Sequence, residues 1–279
     1  MQTGTPSKTA LRVAIRRAAH QLADPPPVLD DPIAVRLIGA GYERDMERAM
    51  HTVGRDFRAF MAARSRYAED RLAECVAAGV RQYVVLGAGL DTFAYRNPHA
   101  GVRVFEVDFP ATQEWKRGLL EAAGIATLAN VTFVALDLEH RTLTESMCEA
   151  GFDAAAAACF SWLGVVPYLT PDAFRATLRA IGQLPAGTAV TFDYGFPPET
   201  LSPLRRVIFN RLAARVAAAG EPFRLFFRAD AMEKELRSAG FHKVEQVDHE
   251  GLNERYFAGR ADGLKLSPVG IGTMATAWV

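Results

Sequence analysis

The sequence has few cysteines, and the three it has are poorly arranged for a structural role. Cys75, Cys148 and Cys159 are odd in number and widely spaced along 279 residues. A disulfide framework needs paired cysteines, and a zinc site needs ligands at short, regular spacing. The sequence therefore predicts neither disulfides nor a metal site, and it favours a reducing cytoplasm.

Net charge and long apolar runs are also lacking. Lys plus Arg and Asp plus Glu number 32 each, so no overall field favours nucleic acid or an anionic membrane, although a local basic patch stays open. No run of about 18 apolar residues predicts a membrane span, and the start, MQTGTPSKTA, is polar where a signal peptide would be apolar. We expect a cytoplasmic protein that binds neither membranes nor nucleic acids.

The first eighty residues predict helices. Apolar residues recur at helical spacing over 9–23, and the run DPPP at 24–27 ends that helix. Asp31 and Pro32 are typical of the start of a short second helix, and 46–78 predicts a long helical region that ends at Gly79. We predict an N-terminal helical cap over residues 1–79 that covers a ligand pocket.

The rest of the chain, 80–279, alternates strand and helix patterns. That alternation is typical of an α/β protein with a doubly wound, mostly parallel sheet. Residues 196–228 are too many for an ordinary loop, so we predict a helical insertion after the fifth strand. The predicted strands cover 83–86, 102–107, 132–136, 154–160, 189–194, 242–248 and 271–278, and the helices between them include 110–123 and 171–183.

A glycine turn follows the first predicted strand, and an acid ends the second. The turn reads GAGLD over 87–91, and the second strand, VRVFEVDFP, carries Glu106 and Asp108. Glycines allow a sharp turn and a close approach of a ligand, while an acid at the end of the next strand suits ribose hydroxyls. The pattern predicts an adenosine pocket.

The same turn lacks the third glycine of a dinucleotide fingerprint. Thr92 stands in its place, and the carboxylate of Asp91 would repel a phosphate. S-adenosylmethionine has no phosphate and carries an ammonium and a sulfonium, so the acidic turn favours it over NAD or ATP. An NAD-dependent oxidoreductase is therefore disfavoured, and a glycine pair that serves only as a tight turn is the plainer alternative.

Four motifs in one order resemble a known family. They are VVLGAGLDTFAYR, FEVDFP, the LDL step at 136–138 and SWLGVVPYLTPD at 161–172. Together they resemble the leucine carboxyl methyltransferase-like branch of class I methyltransferases, which includes bacterial O-methyltransferases of polyketide biosynthesis. The resemblance implies a seven-stranded, Rossmann-like methyltransferase sheet with an antiparallel hairpin at its edge, and S-adenosylmethionine as cofactor.

The resemblance also implies which residues hold the methionine end of the cofactor. Gly87, Ala88 and Gly89 would line the methionine and ribose side. Asp91 would reach the ammonium, or else serve only as a helix cap. Arg64 resembles the family arginine that holds the cofactor carboxylate, a task that suits a planar guanidinium. A solvated helix face is its alternative.

The ribose and adenine contacts are implied in the same way. Asp108 would bind the ribose hydroxyls, and Glu106, two residues earlier on the same strand face, is the alternative ribose ligand. Asp137 would accept from the adenine amine, and the amide of Leu138 would donate to a ring nitrogen. A turn or cap acid is the alternative role of Asp137.

The sequence departs from the family at one position. Many relatives carry a glutamate-glycine pair near the end of the fourth strand, whereas here Leu163 precedes Gly164. Either Asp91 and backbone carbonyls suffice for the ammonium, or the methionine end is bound differently. Trp162 would pack beside the cofactor or belong to the core.

No convincing catalytic base is present. The six histidines are scattered along the chain. Tyr168 and Tyr194 are better placed, near the carboxyl ends of the fourth and fifth strands, and ordinary packing is their alternative role. Arg205 and Arg206 in the insertion would receive an anionic substrate or face solvent. A carboxylate acceptor needs no base, whereas a phenol or alcohol needs one.

The sequence thus predicts an S-adenosylmethionine-dependent O-methyltransferase. We expect a carboxyl or hydroxyl group on a small, polyketide-like molecule as acceptor, with a slight preference for carboxyl. Two alternatives stay open: a protein C-terminal carboxyl methyltransferase, and a methyltransferase-fold cyclase or binding module that does not transfer the methyl group. A homodimer also stays open, because nothing in the sequence bears on oligomeric state.

Overall fold

The computed structural model describes residues 7–39, 41–51, 54–139, 142–267 and 272–279. Within those ranges the helices are Lys8–Ala23 (α1), Pro32–Gly39 (α2), Glu43–Met50 (α3), Arg55–Ala77 (α4), Pro110–Ala122 (α5), Leu143–Glu149 (α6), Pro171–Gly182 (α7), Pro203–Ala217 (α8), Ala229–Ser238 (α9) and His249–Tyr256 (α10). The strands are Gln82–Leu86 (β1), Arg103–Asp108 (β2), Val131–Ala135 (β3), Cys159–Trp162 (β4), Ala189–Tyr194 (β5), Lys243–Val247 (β6) and Thr273–Trp278 (β7).

The seven strands form one sheet in the order β3-β2-β1-β4-β5-β7-β6. All neighbours pair in parallel except β7, which runs antiparallel to both β5 and β6. The predicted doubly wound, mostly parallel α/β fold is confirmed. The predicted antiparallel pair at the edge of the sheet is present as β6 and β7, with β7 inside the sheet and β6 at its edge. The chain enters β6 from α9, and α10 and the segment after it separate β6 from β7, so no tight hairpin joins them.

Helices cover both faces of the sheet. Every residue of β1 and of β5 is buried, which explains why these strands are almost continuously apolar. Val84 and Leu86 belong to one core cluster, and Tyr83 and Val85 to another on the opposite face. Packing on both faces therefore fixes the carboxyl ends of these strands.

The fourth strand begins later than predicted. Residues 154–158 do not extend β4, which starts at Cys159, and most of these alanines are partly or fully exposed. Gln82 and Asp153 exchange two hydrogen bonds of 2.8 and 2.9 Å just before them. Alanine has low strand propensity and little area to bury, so this run forms a turn instead.

The N-terminal helices share their core with the sheet. The predicted region 46–78 is two helices, because Gly54, with φ of 90°, precedes α4. Phe60 and Tyr67 of α4 pack in one cluster with Val247 and Met274 of the sheet. The division at residue 79 therefore stays a prediction.

The insertion is partly helical, as predicted. It contains α8, after which residues 218–228 run without regular structure to α9. The amide of Phe227 donates to the carbonyl of Gly195 at 3.0 Å, which ties the end of the insertion to the end of β5. Among the described helices none is long and apolar enough to cross a membrane.

Candidate functional site

A cavity lies at the carboxyl ends of β1, β2 and β4, where open α/β sheets bind ligands. We call it the central cavity. The sheet, α1, α4 and the insertion all contribute to its wall. Its charged lining residues are Glu69, Asp91, Asp108, Asp137, Glu139 and Glu221, against Arg17, Arg64 and Arg224. Six carboxylates thus face three guanidinium groups.

The glycine turn forms one wall of the central cavity. Gly87 and Gly89 have φ of 65° and 49°, a region that other residues rarely adopt. A Cβ on Gly87 would lie 2.3 Å from Cγ2 of Val165, and one on Gly89 would lie 3.0 Å from Cβ of Ala10. Both glycines are therefore needed for the backbone path and for close packing.

Asp108 lines the central cavity and braces the glycine turn. Its Oδ2 accepts from the amide of Gly89 at 2.5 Å, and its Oδ1 accepts from the amide of Phe109 at 2.7 Å. Burial raises the pKa of Asp108 to about 6, although these two amide donors act to lower it. The carboxylate keeps lone pairs for further hydroxyl donors.

Glu106 is not among the residues that line the central cavity. Its Oε2 lies 2.6 Å from Nζ of Lys116 on α5, and both side chains are 1% exposed. Burial raises the pKa of Glu106, against the charge of Lys116, which lowers it. Only Asp108 of these two acids is brought to the cavity.

Asp91 lines the central cavity but is already engaged. Oδ2 lies 2.6 Å from Nη1 of Arg17, and Oδ1 accepts from the amide of Phe93 at 2.8 Å. Burial acts to raise the pKa of Asp91, but Arg17, Lys116 and Arg96 outweigh it and hold the pKa at about 2. The bond to Phe93 satisfies the first amide of the short 3-10 turn at 93–95, whose N-cap residue is Thr92.

A buried ionic network supports the turn, and the sequence analysis missed it. Nη2 of Arg17 lies 2.6 Å from Oδ2 of Asp31, whose oxygens also accept from the hydroxyl of Thr92 at 2.7 Å. Arg96 pairs with Glu69 of α4, with one contact of 2.8 Å, and approaches Asp31 at 3.2 Å. Partners so far apart in sequence leave no local signal.

Asp137 and Leu138 both line the central cavity after β3. Oδ1 of Asp137 accepts from the amide of Glu139 at 2.9 Å, which is the turn contact that its alternative role requires. The turn is anchored beside Asp108, because the amide of Leu136 donates to the Asp108 carbonyl at 2.9 Å.

Arg64 reaches the central cavity from α4 with its side chain 7% exposed. Its Nη1 lies 3.1 Å from Oδ2 of Asp193, the penultimate residue of β5, which sequence reasoning overlooked. Gly164 packs directly against the guanidinium. Leu163 also lines the cavity, so the residue before Gly164 presents an apolar side chain to it.

The opposite wall comes from the start of α1 and from the insertion. Oε2 of Glu221 accepts from the amide of Thr9 at 3.2 Å and from the Thr9 hydroxyl. Tyr168 lies beside them, and its ring centroid is 5.3 Å from that of Phe223. Burial raises the pKa of Tyr168 to about 12. Glu221 was not singled out from the sequence.

Several other predicted residues lie elsewhere. Tyr194 does not line the central cavity, and its hydroxyl donates to Gln246 of β6, beyond the intervening strand β7. Trp162 is fully buried against Phe174, with ring centroids 5.7 Å apart, which is the core alternative. None of the histidines in the described ranges lines the cavity, and His140 lies outside those ranges.

Arg205 and Arg206 are likewise absent from the lining of the central cavity. Arg206 donates to the carbonyls of Glu199 and Leu201 at 3.1 and 3.3 Å. No group of three or more metal-ligating side chains occurs in the part of the chain that the structure describes.

The sheet order with one internal antiparallel strand, and a cavity at the glycine turn, define the class I methyltransferase fold. The solved structures agree on the fold. A candidate methyltransferase from Thermobifida fusca has a TM-score of 0.57 at 17% identity and covers 99% of this chain and 95% of its own. A DUF574 family protein from Streptomyces avermitilis has a TM-score of 0.56 at 19% identity, covering 94% and 96%.

Sequence comparisons give the family. The leucine carboxyl methyltransferase model matches residues 10–182, and YktD of Bacillus subtilis, named as a candidate S-adenosyl-L-methionine-dependent methyltransferase, is 31% identical over 294 aligned positions, covering 95% of each chain. A similarly named protein of Mycolicibacterium gilvum is 35% identical over 195 positions, covering 64% of this chain and 63% of its own. The chain belongs to the leucine carboxyl methyltransferase family of S-adenosylmethionine-dependent methyltransferases.

The central cavity fits that cofactor. Gly87 and Gly89 line the cavity without side chains, so their backbone borders it directly. Asp108 offers a carboxylate to hydroxyls, and Arg64 offers a guanidinium to a carboxylate. The excess of acidic lining residues suits a sulfonium and opposes phosphates.

Proposed function

We propose that this methyltransferase transfers a methyl group from S-adenosylmethionine to a carboxyl or hydroxyl oxygen of a small, polyketide-like molecule in the cytoplasm. The observation that carries the proposal is the central cavity itself: a glycine turn and an acid at two strand ends, with six carboxylates against three arginines. A cavity of that charge attracts a cationic ligand and repels nucleotides with phosphates.

Each part of the cofactor has a proposed partner. Asp108 would accept from the ribose hydroxyls, Asp137 and the amide of Leu138 would hold adenine, and Arg64 would hold the carboxylate. Asp91 would reach the ammonium only while sharing its oxygens with Arg17 and Phe93. When bound, the cofactor supplies an electrophilic methyl group, so the chain must chiefly align an oxygen and exclude water.

The acceptor would lie beside Tyr168 and Glu221. A pKa of about 12 keeps the Tyr168 phenol protonated at neutral pH, so this residue would orient an acceptor oxygen by donating a hydrogen bond. Glu221 is the carboxylate on that side that could take a proton from a hydroxyl acceptor. A carboxylate acceptor would need only alignment.

Methylation of a protein C-terminal carboxylate is the second candidate, supported by the description of the matching family model. The contacts of Glu221 with Thr9 favour the small molecule, since they bridge the insertion and α1 over the cavity wall. A role that binds the cofactor without methyl transfer is supported only by Leu163.

Calorimetry and product analysis test the proposal. We expect S-adenosylmethionine and its demethylated product to bind, and NAD and ATP not to bind. Incubation with methyl-labelled cofactor and a panel of aromatic acids, phenols and peptides should label a small acid or phenol. Saturable NAD binding without a response to the methyl donor, or labelling confined to peptide C-termini, would overturn it.

A further inference from the structure

Leu163, the residue before Gly164, is apolar, but an acid from another strand contacts this glycine. Asp193 stands near the end of β5, next to β4 in the sheet. Its Oδ1 accepts from the amide of Gly164 at 2.6 Å, and its Oδ2 lies 3.1 Å from Nη1 of Arg64. One carboxylate therefore joins three elements: the loop after β4, the end of β5 and α4.

The contact is buried and tight. Arg64 and Asp193 have side chains that are 7% and 8% exposed. A Cβ on Gly164, whose φ is 70°, would lie 2.8 Å from Nη2 of Arg64, so the glycine leaves just enough space for the guanidinium. Charge-assisted hydrogen bonds of this kind fix the direction of the donor as well as its position.

Arg64 lines the central cavity, whereas Asp193 does not. In the described residues, Nε of Arg64 is buried without a hydrogen-bond partner. Asp193 holds only Nη1, so the guanidinium keeps donors that the protein does not use. A guanidinium held on one edge and free on another is prepared to bind a carboxylate.

We propose that Asp193 is a positioning residue that orients Arg64 toward the carboxylate of the cofactor and holds the loop at Leu163 and Gly164. This inference rests on the proposed function, because it takes the central cavity as the cofactor site. Asp193 touches no ligand itself. Its effect is confined to ligands that carry the methionine carboxylate.

Two ligands separate a positioning role from a merely structural one. S-adenosylhomocysteine has the carboxylate, and 5′-methylthioadenosine keeps the adenosine but lacks the amino acid. By calorimetry, Asp193→Ala should weaken binding of the first about 10- to 100-fold, the range for losing a hydrogen bond to a charged group. It should leave binding of the second within about twofold.

Further variants test whether Asp193 acts through Arg64. Arg64→Ala should show the same selective loss, and the double variant should lose little more than either single one. Asp230→Ala is the matched control, because Asp230 is exposed and pairs only loosely with Arg228 at 3.5 Å. Asp193→Asn, which keeps the size of the side chain, replaces Asp193→Ala if that variant does not fold.

The outcomes are distinct. Equal loss of both ligands, additive losses in the double variant, or unchanged binding of S-adenosylhomocysteine would overturn the positioning role. If the unmodified protein binds neither ligand, the proposed function fails instead.

Discussion

The two sides of the central cavity are built differently. On the sheet side, the buried pair of Arg17 with Asp31 supports the turn at 87–91, and the buried pair of Arg64 with Asp193 supports the loop after β4. On the lid side, formed by Thr9, Tyr168 and the insertion, Glu221 accepts from Thr9 and a few backbone hydrogen bonds tie the insertion down, while α8 has Val216 as its one buried residue. The half that would hold the cofactor is rigid because its charged side chains are buried and paired. The half that would meet the acceptor has few packing constraints.

The largest expected difference between the sides concerns stability. Glu106→Ala would leave Lys116 as an uncompensated charge that is 1% exposed, so the free energy of unfolding should fall by about 3–5 kcal/mol. On the lid side, Leu204→Ser changes a side chain that is 72% exposed, and the free energy of unfolding should change by less than about 0.5 kcal/mol. Denaturant titration measures both.

The double variant Glu106→Ala with Lys116→Met is the control for the first value. It removes both charges and should recover most of the lost stability. Similar losses for Glu106→Ala and Leu204→Ser would contradict the contrast between a rigid and a loosely packed side.

The next effect concerns cofactor affinity on the sheet side. Asp108→Ala should weaken binding of S-adenosylmethionine by about 1–3 kcal/mol, because ribose hydroxyls lose a charged acceptor. Glu106→Ala should weaken it less, since Lys116 holds Glu106 away from the cavity lining. Calorimetry on folded variants decides, and the reverse order would make Glu106 the ribose acid.

A smaller effect follows from the pKa of Asp108, which burial raises to about 6. Below that pH the carboxyl is neutral and accepts hydroxyl donors poorly, so affinity for 5′-methylthioadenosine should fall about tenfold from pH 7 to pH 5. The free energy of unfolding should change in the opposite direction. Because the pKa of Asp108 is raised in the folded state, its contribution to stability increases as pH falls through this window.

Asp108→Asn is the control for the pH profile, because an amide does not titrate. Its affinity for 5′-methylthioadenosine should be weaker and flat from pH 7 to pH 5. A profile in the unmodified protein that is equally flat would show that Asp108 does not contact the ribose.

The contrast also explains what could be predicted from the sequence. The glycine turn, the strand ends and the position of Asp108 follow from short local patterns, and β5 matches its predicted bounds of 189–194. The strand predicted over the alanine run at 154–158 was wrong, because hydrophobic character alone does not give strand propensity.

Most of the lid side could not be predicted for a physical reason. Glu221 meets Thr9 across 212 positions of sequence, and nothing near either residue indicates the contact. Asp193 could not be singled out from the sequence either, because it is one polar residue in a strand that is buried at every position. Tyr194 carried the stronger local signal, yet its hydroxyl donates to Gln246 of β6, away from the cavity lining.

The smallest expected effect lies on the lid side and identifies the acceptor. We propose a carboxylate acceptor, which is ionised at neutral pH and needs only alignment. Glu221→Gln, Tyr194→Phe and single replacement of each histidine should then leave turnover within about tenfold. A phenol or alcohol acceptor would instead need a base or an orienting residue. Glu221→Gln or Tyr168→Phe should then lower turnover about a hundredfold or more.

Thr9→Val, which removes the hydroxyl that donates to Glu221, is the matched control for disturbed packing. The product decides independently of the variants, because a methyl ester is cleaved by alkali and a methyl ether is not, and a stable ether would contradict the choice of carboxylate.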